Sequence, residues 1–233
     1  VRTLLLPPPL TAGVHDLDED EAHHARTVLR VAVGDAVRLA DAAGMAAAGT
    51  VAAVERGRVA VRCGDPTPVP DTPAAALAIA AAPPKGDRLA DLVRALSELG
   101  VGTYIPLICV RGTRDRWNGE RLRRVALESL KQCRRGKLLD ITAPMTVDEV
   151  ISAAKAEGRA LAVCDPAGEP ARPGPPTATT VVIGPEGGLT ADEAIRLRKA
   201  SAVAVRLGGA ILRIETAATA AAAVWAAAWE SPR

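Results

Sequence analysis

Three stretches of the chain combine residue types and spacings that could do chemistry. In Val181-Val-Ile-Gly-Pro-Glu-Gly-Gly-Leu-Thr-Ala-Asp-Glu193 an apolar run enters a loop with three glycines. Thr190, with Glu193 three residues later, forms a capping box that starts a helix. Small residues at such a strand-to-helix turn let backbone amides and carbonyls approach a ligand closely. No Gly-Lys-Ser/Thr follows and the G-x-G-x-x-G spacing is absent, which excludes a P-loop and a dinucleotide fingerprint. A plain tight turn is the competing reading. The second stretch, Leu207-Gly-Gly-Ala-Ile-Leu-Arg-Ile-Glu-Thr-Ala217, again ends a strand in glycine and interleaves Arg213 and Glu215 with Ile211, Leu212 and Ile214. Glu215 and Thr216 suit a helix start, where the helix dipole favours a carboxylate. A solvated Arg213–Glu215 salt bridge is the alternative there.

The third stretch is basic. From Arg111 to Lys137 ten lysines and arginines face three acids, a local charge of +7, so the remainder of the chain carries −5. Arg111, Arg114, Arg116, Arg121, Arg123, Arg124, Lys131, Arg134, Arg135 and Lys137 at this density form a cationic stripe suited to phosphate. The whole-chain net charge of +2 hides it. His23 and His24 adjoin each other but point to different helix faces and lack a completing carboxylate cluster, so a metal pair is disfavoured against phosphate contact or packing.

These residues need elements to hold them. The 233 residues, 48% hydrophobic and 24% charged, can bury one large or two small cores, which excludes disorder for most of the chain. Aromatic residues make up 2%, with no Phe, so a surface that stacks several bases on rings is excluded. The first seventy residues look β-rich: a helix over Asp20–Leu29 precedes strands at 36–40, 49–54 and 59–63, separated by turn residues. The segment Asp65-Pro-Thr-Pro-Val-Pro-Asp-Thr-Pro73 reads as a stiff connector, placing a domain boundary near residue 72. Beyond it strands are expected at 75–82, 104–110, 160–164, 180–183 and 203–207. Helices are expected at 88–99, 120–133, 147–156, 191–199 and 216–229. Such alternation implies a mainly parallel α/β sheet covered on both faces, with ligands outside the carboxyl ends of the strands, first of all after Ile183 and Leu207.

Cys63, Cys109, Cys133 and Cys164 show no paired spacing, so buried free thiols are expected rather than zinc or disulfides. No signal peptide is expected in Val1–Leu10, and the Ala-rich stretch 217–229 is too short to cross a bilayer. The chain reads as cytoplasmic.

Taken together the motifs resemble one family, the 16S ribosomal RNA (uracil-N3)-methyltransferases of the RsmE type, within the SPOUT class. The resemblance covers nearly the whole chain. It is carried by His24-Ala-Arg-Thr-Val-Leu-Arg30 with Gly34-Asp35, Lys85-Gly-Asp87, Glu98-Leu-Gly100, Lys131-Gln-Cys-Arg134, Gly184-Pro-Glu-Gly-Gly188, and Leu207-Gly208 with Ile211-Leu-Arg213 and Glu215-Thr-Ala217. It implies an N-terminal PUA-like β-barrel over 1–72 for RNA docking. It also implies a SPOUT α/β domain over 73–233 whose C-terminal end is threaded into a trefoil knot, against the general rule that chains avoid threading. S-adenosyl-L-methionine would bind in the knot, held by Gly184, Pro185, Glu186, Gly187, Gly188, Leu207, Gly208, Ile211, Leu212, Arg213 and Thr216. The implied partners are 16S rRNA in the small ribosomal subunit and a second copy of the chain, with no metal and no membrane. Arg2, His24, Arg30, Lys85, Lys131, Arg134 and Arg135 are the expected RNA contacts.

For the reaction, a uracil N3 must lose its proton as it accepts the methyl group. Arg213, or Arg2 or Arg30 from the docking domain, would stabilise the resulting anion, and Glu215 would position or accept the proton. The chain departs from the family at Gly209-Ala210, where Pro-Arg is usual, and at Ile214, where Thr is usual. Those departures keep two other readings open: a SPOUT methyltransferase of a different RNA, and a noncatalytic RNA-binding or ribosome-assembly protein that retains the fold.

Overall fold

The computed structural model describes residues 1–112 and 118–230. Arg114, Asp115 and Arg116 of the basic stretch lie outside the described residues. Two compact units emerge, the first made of Val1–Asp71 with Leu127–Leu138, the second of the rest from Thr72 onward.

The first unit contains β1 (Arg2–Leu5), β2 (Gly13–Asp16), α1 (Glu19–Thr27), β3 (Ala36–Ala40), β4 (Met45–Glu55), β5 (Arg58–Cys63) and β6 (Thr67–Pro68). Its strands hydrogen-bond in the order β1-β3-β4-β5-β2, with β6 on β4, around a core that includes Leu4, Leu39, Val51, Val59 and Val61. Helix α1 starts at Asp18, whose side chain accepts from the Glu21 amide, and buries Ala22 and Ala25. It stops two residues before the expected end. The longest strand, β4, begins at Met45 rather than Gly49, because the Ala46–Ala48 run has no polar alternation to reveal it and is identified by pairing with β3. Gly49 is required there: a Cβ would lie 2.6 Å from Leu39 Cδ1 and 2.7 Å from the Arg62 carbonyl. Strands β1 and β2 were not expected from the sequence. Each is four residues long, too short for alternation to register, and prolines 7–9 stand between them.

The C-terminal half of α3 (Gly119–Cys133) and the segment after it complete this unit. Lys131 Nζ lies 2.8 Å from Glu21 Oε2 and 2.8 Å from Glu128, while Glu21 Oε1 accepts from the Leu5 amide. Leu138 donates to the Ala42 carbonyl, and Lys137 pairs with Asp71. Burial would lower the basicity of Lys131, but hydrogen bonds and charge from Glu128 and Glu21 outweigh it and raise its pKa.

After a 3-10 turn at Pro73–Ala76, the second unit runs β7 (Leu77–Ala81), α2 (Arg88–Glu98), β8 (Thr103–Ile108), the first half of α3, β9 (Asp140–Ile141), β10 (Met145–Thr146), α4 (Val147–Ala156), β11 (Ala160–Pro170), β12 (Thr179–Ile183), α5 (Ala191–Lys199), β13 (Val203–Arg206) and α6 (Ile214–Glu230). All pairings are parallel, in the order β10-β8-β7-β12-β11-β13 with β9 on β8. The central β7 and β12 are buried along their whole length, as a sheet covered on both faces demands. Ala78, Ala80 and Val182 share a core with Val147 and Val150 of α4 and Leu197 of α5. Alternation turns Leu77 and Ile79 to the other face, where α6 packs on β7 and β12 beside α2. The chain therefore returns from β13, at the edge of the sheet, to its middle through residues 207–213.

Helices α4 and α5 match the expected spans because each starts on a complete capping box, Thr146 with Glu149 and Thr190 with Glu193. Among the described residues no helix is long and apolar enough to cross a membrane.

Candidate functional site

Three neighbouring strands, β12, β11 and β13, end on the same side of the sheet, and their loops enclose a cavity of about 320 Å³ closed by the start of α6. The wall is apolar over Ile183, Leu189, Val205, Leu207, Leu212 and Ile214, with backbone edges at Gly184 and Gly208. Asp165, Glu186, Arg206 and Arg213 add two charges of each sign. An apolar slot with few polar groups of both signs, at the carboxyl ends of a parallel sheet, suits a small zwitterionic or heterocyclic ligand.

The first loop is held from outside. Gly188 takes a positive φ of 68°, and its amide closes a turn on the Pro185 carbonyl at 2.8 Å. Arg111 reaches in from the segment after β8 and donates Nη1 to the carbonyls of Gly187 and Leu189, at 3.0 and 3.5 Å. Glu193 accepts from the amides of Thr190 and Val110. Burial alone would raise its pKa, but these hydrogen bonds, the Thr190 hydroxyl and Arg196 hold the carboxyl below its ordinary value.

Of the expected cofactor residues, Gly184, Pro185, Glu186 and Gly188 line the cavity, as do Leu207, Gly208 and Ile211 to Arg213. Gly187 turns its carbonyl to Arg111 instead, and Thr216 is exposed on the first turn of α6, off the wall. Sequence reasoning missed the third loop. Cys164 and Glu169 both pair with Val205, so residues 165–168 loop out of β11 and bring Asp165 and Pro166 to the cavity. The signal was present in Asp165-Pro-Ala-Gly168, a turn sequence inside a run otherwise read as a strand end. Gly168 is tied to this path, since a Cβ would lie 2.7 Å from the backbone of Ala204 and Val205.

Burial pushes the Cys164 thiol up to about 12. It is therefore protonated at neutral pH and supplies wall rather than nucleophile. Iodoacetamide at pH 8 is expected to alkylate it about a thousandfold more slowly than an exposed cysteine, because only the thiolate reacts. Labelling of Cys164 at an ordinary rate, followed by peptide mass spectrometry, would contradict that environment.

Glu215 lies in the first turn of α6, next to the cavity residues Arg213 and Ile214. The Arg213–Glu215 bridge considered from sequence is not formed. Glu215 Oε1 pairs instead with Arg88 Nη1 at 3.3 Å, and Oε2 is buried without a hydrogen-bond partner. Arg213 is exposed and lines the cavity.

The expected RNA contacts fall in both units. In the first, Arg2 is half-exposed and pairs with Asp35 at 3.2 Å, Arg30 is exposed, and His24 is half-buried. Lys131 is corrected. With its side chain 9% exposed between Glu21 and Glu128, its charge is neutralised inside the unit and is not available to phosphate. Arg134 is exposed at a positive φ of 60°, and its carbonyl accepts from Arg38, a cation not singled out in the sequence. Burial, and then Arg134, lower the basicity of Arg38, and burial does the same to the half-buried Arg135. Lys85 is exposed in the second unit, where Arg121 pairs with Asp87. The +7 stretch is thus partly neutralised by partners distant in sequence. Tyr104, Trp225 and Trp229 are all buried, so no described aromatic ring is offered to a base. Among the described residues no three or more His, Cys, Asp and Glu gather as metal ligands.

Residues 71–226 match the family described as RNA methyltransferase domain, and residues 17–62 match the RNA methyltransferase PUA domain. Ribosomal RNA small subunit methyltransferase E of Mycobacterium bovis is 30% identical over 230 residues, covering 91% of this chain and 86% of that one. The chain belongs to the ribosomal RNA small subunit methyltransferase E family. A solved member of that family, from Neisseria gonorrhoeae and bound to S-adenosyl methionine, is 25% identical and superposes with a TM-score of 0.86 over 98% of both chains. A putative methyltransferase from Legionella pneumophila, in complex with the same cofactor, shares the fold at 24% identity, with a TM-score of 0.85 over 97% of both chains. The methyltransferase E family fold is therefore present in both parts, a PUA-like unit and a SPOUT-type α/β unit.

Proposed function

We propose that this chain transfers a methyl group from S-adenosyl-L-methionine to N3 of a uracil in the 16S rRNA of the small ribosomal subunit. The observation that carries the reading is the cavity formed by the three carboxyl-end loops in a chain of this family. Its volume and mixed lining fit the cofactor: apolar walls for an adenine ring, backbone edges at Gly184 and Gly208 for its polar rim, and charges of both signs for a zwitterionic tail. When bound, the cofactor supplies a methyl group already activated on a positively charged sulfur.

The chain's own residues supply the rest. Glu215 Oε2, buried and unpartnered, is the acceptor for the N3 proton, which is largely in place at neutral pH. Arg213 on the cavity wall stabilises the imide anion left behind, with Arg2 or Arg30 of the docking domain as the alternative cation. The first unit docks RNA and the second carries the cofactor site. The active form is a homodimer, the state that membership of this family implies. Its ribosomal substrate places its work in the cytoplasm.

The test is transfer. The purified chain, the cofactor and unmethylated small subunits should yield a new reverse-transcription stop at one uracil, because N3 methylation blocks pairing. An unchanged stop pattern overturns the assignment.

Arg111 holds the first cavity loop by two carbonyls, so Arg111→Met is expected to weaken cofactor binding about tenfold, the scale of a charge-assisted hydrogen bond at a half-solvated site. Calorimetric titration measures it. An unchanged Kd would show that the turn at Pro185–Gly188 holds itself.

A further inference from the structure

Glu215 divides its two oxygens between different surroundings. Oε1 faces the Arg88 guanidinium, whose Nη1 is 3.3 Å away, and Oε2 is buried with no partner. Arg88 is itself fixed at the N-terminal end of α2, where its Nε donates to the Lys85 carbonyl at 3.3 Å. That carbonyl belongs to the turn in which Gly86 takes a positive φ of 66°. Asp87, beside it, is turned to Arg121 and does not compete for the guanidinium. Helices α2 and α6 pack together, so the pair ties the start of one helix to the start of the other. A buried carboxylate oxygen without a donor is uncommon in a native fold and marks either a missing ligand or a reactive group.

We propose that Arg88 is a positioning residue for methyl transfer: by holding Oε1 of Glu215 it leaves Oε2 as the one oxygen free to take the proton of the substrate. The inference rests on the reading of Glu215 as proton acceptor. A cation on one oxygen does two things for such a group. It fixes the rotation of the carboxylate, and it occupies one oxygen so that the other is the one presented to a donor. Arg88 touches neither the cavity wall nor the reacting atoms, so its contribution passes through Glu215.

The experiment compares Arg88→Met and Arg88→Lys with the unaltered chain, using S-adenosyl-L-methionine and unmethylated small subunits as substrates. Arg88→Met is expected to lower kcat about tenfold or more, a share of what a placed general base contributes, with KM for both substrates within about twofold. Arg88→Lys keeps the charge and a donor for Oε1 and should recover part of kcat. Calorimetric titration with the cofactor and a thermal melt show whether each variant is folded. An unchanged kcat in a folded Arg88→Met chain overturns the proposal, as does a loss confined to cofactor affinity. Glu215→Gln separates the two levels. If it retains full turnover, the acceptor reading fails; if it is inactive while Arg88→Met turns over normally, only the positioning role fails. In Arg88→Met/Glu215→Gln the arginine change should add nothing to the loss from Glu215→Gln alone, and an additive loss likewise overturns the proposal.

Discussion

Replacement of Glu215 by Gln is expected to lower the rate of methyl transfer by about 10²–10⁴, the range that a positioned general base supplies, without changing the affinity for S-adenosyl-L-methionine. The exchange keeps the volume of the side chain and its place in the first turn of α6, so packing against α2 is preserved. It removes the negative charge and substitutes an amide that cannot take the N3 proton at neutral pH. The cofactor should still bind, because Glu215 is not on the cavity wall. Single-turnover assays with saturating cofactor and small subunits read the first quantity and calorimetry the second. Full turnover in the variant would assign the proton to solvent or to the RNA.

The second large effect concerns stability. Lys131→Met should destabilise the first unit by about 3–5 kcal/mol, the usual consequence of stranding one member of a buried ion pair. Both side chains are 9% exposed, so little water is available to compensate Glu21, which would retain only the Leu5 amide on Oε1. The sign of the pH dependence follows from the raised pKa of Lys131. Its contribution is complete below the ordinary lysine value of about 10.4 and is lost as pH climbs through the higher folded value. In Lys131→Met that loss at high pH should disappear, because the group that titrates there is gone. Thermal melts of both proteins between pH 4 and 11 decide this, and parallel curves would show that the pair contributes no net stability.

What the sequence made legible was local. The capping box at Thr190 delimits the start of α5, and glycine-ended strands mark two of the three cavity loops, because these signals lie within a few residues of what they determine. The third loop was hidden by a strand that resumes beyond its excursion at 165–168, a feature that only pairing with β13 defines. Pairings across long separations were equally hidden. Glu215 meets Arg88 across 127 positions, Gly187 meets Arg111 across 76, and Glu21 meets Lys131 across 110. Each partner looked solvent-facing in its own segment, so Lys131 read as a phosphate contact and Glu215 as a neighbour of Arg213. The low aromatic content was informative in both settings. Among the described residues Tyr104, Trp225 and Trp229 are all inside, so none of these rings is offered to a base.

The residues around Lys131 also bear on how such a protein can be rearranged by recombination. The PUA-like unit is not one uninterrupted stretch of chain: its first 71 residues depend on a segment that the chain reaches only after residues 72–126 of the α/β unit have been laid down. A single crossover near residue 71 would transplant the strands without the cation that balances Glu21, without the Leu138 amide on Ala42 and without the Lys137 partner of Asp71. Exchange of the PUA-like part between relatives with these contacts intact therefore requires three breakpoints, at 71/72, 126/127 and 138/139, rather than one.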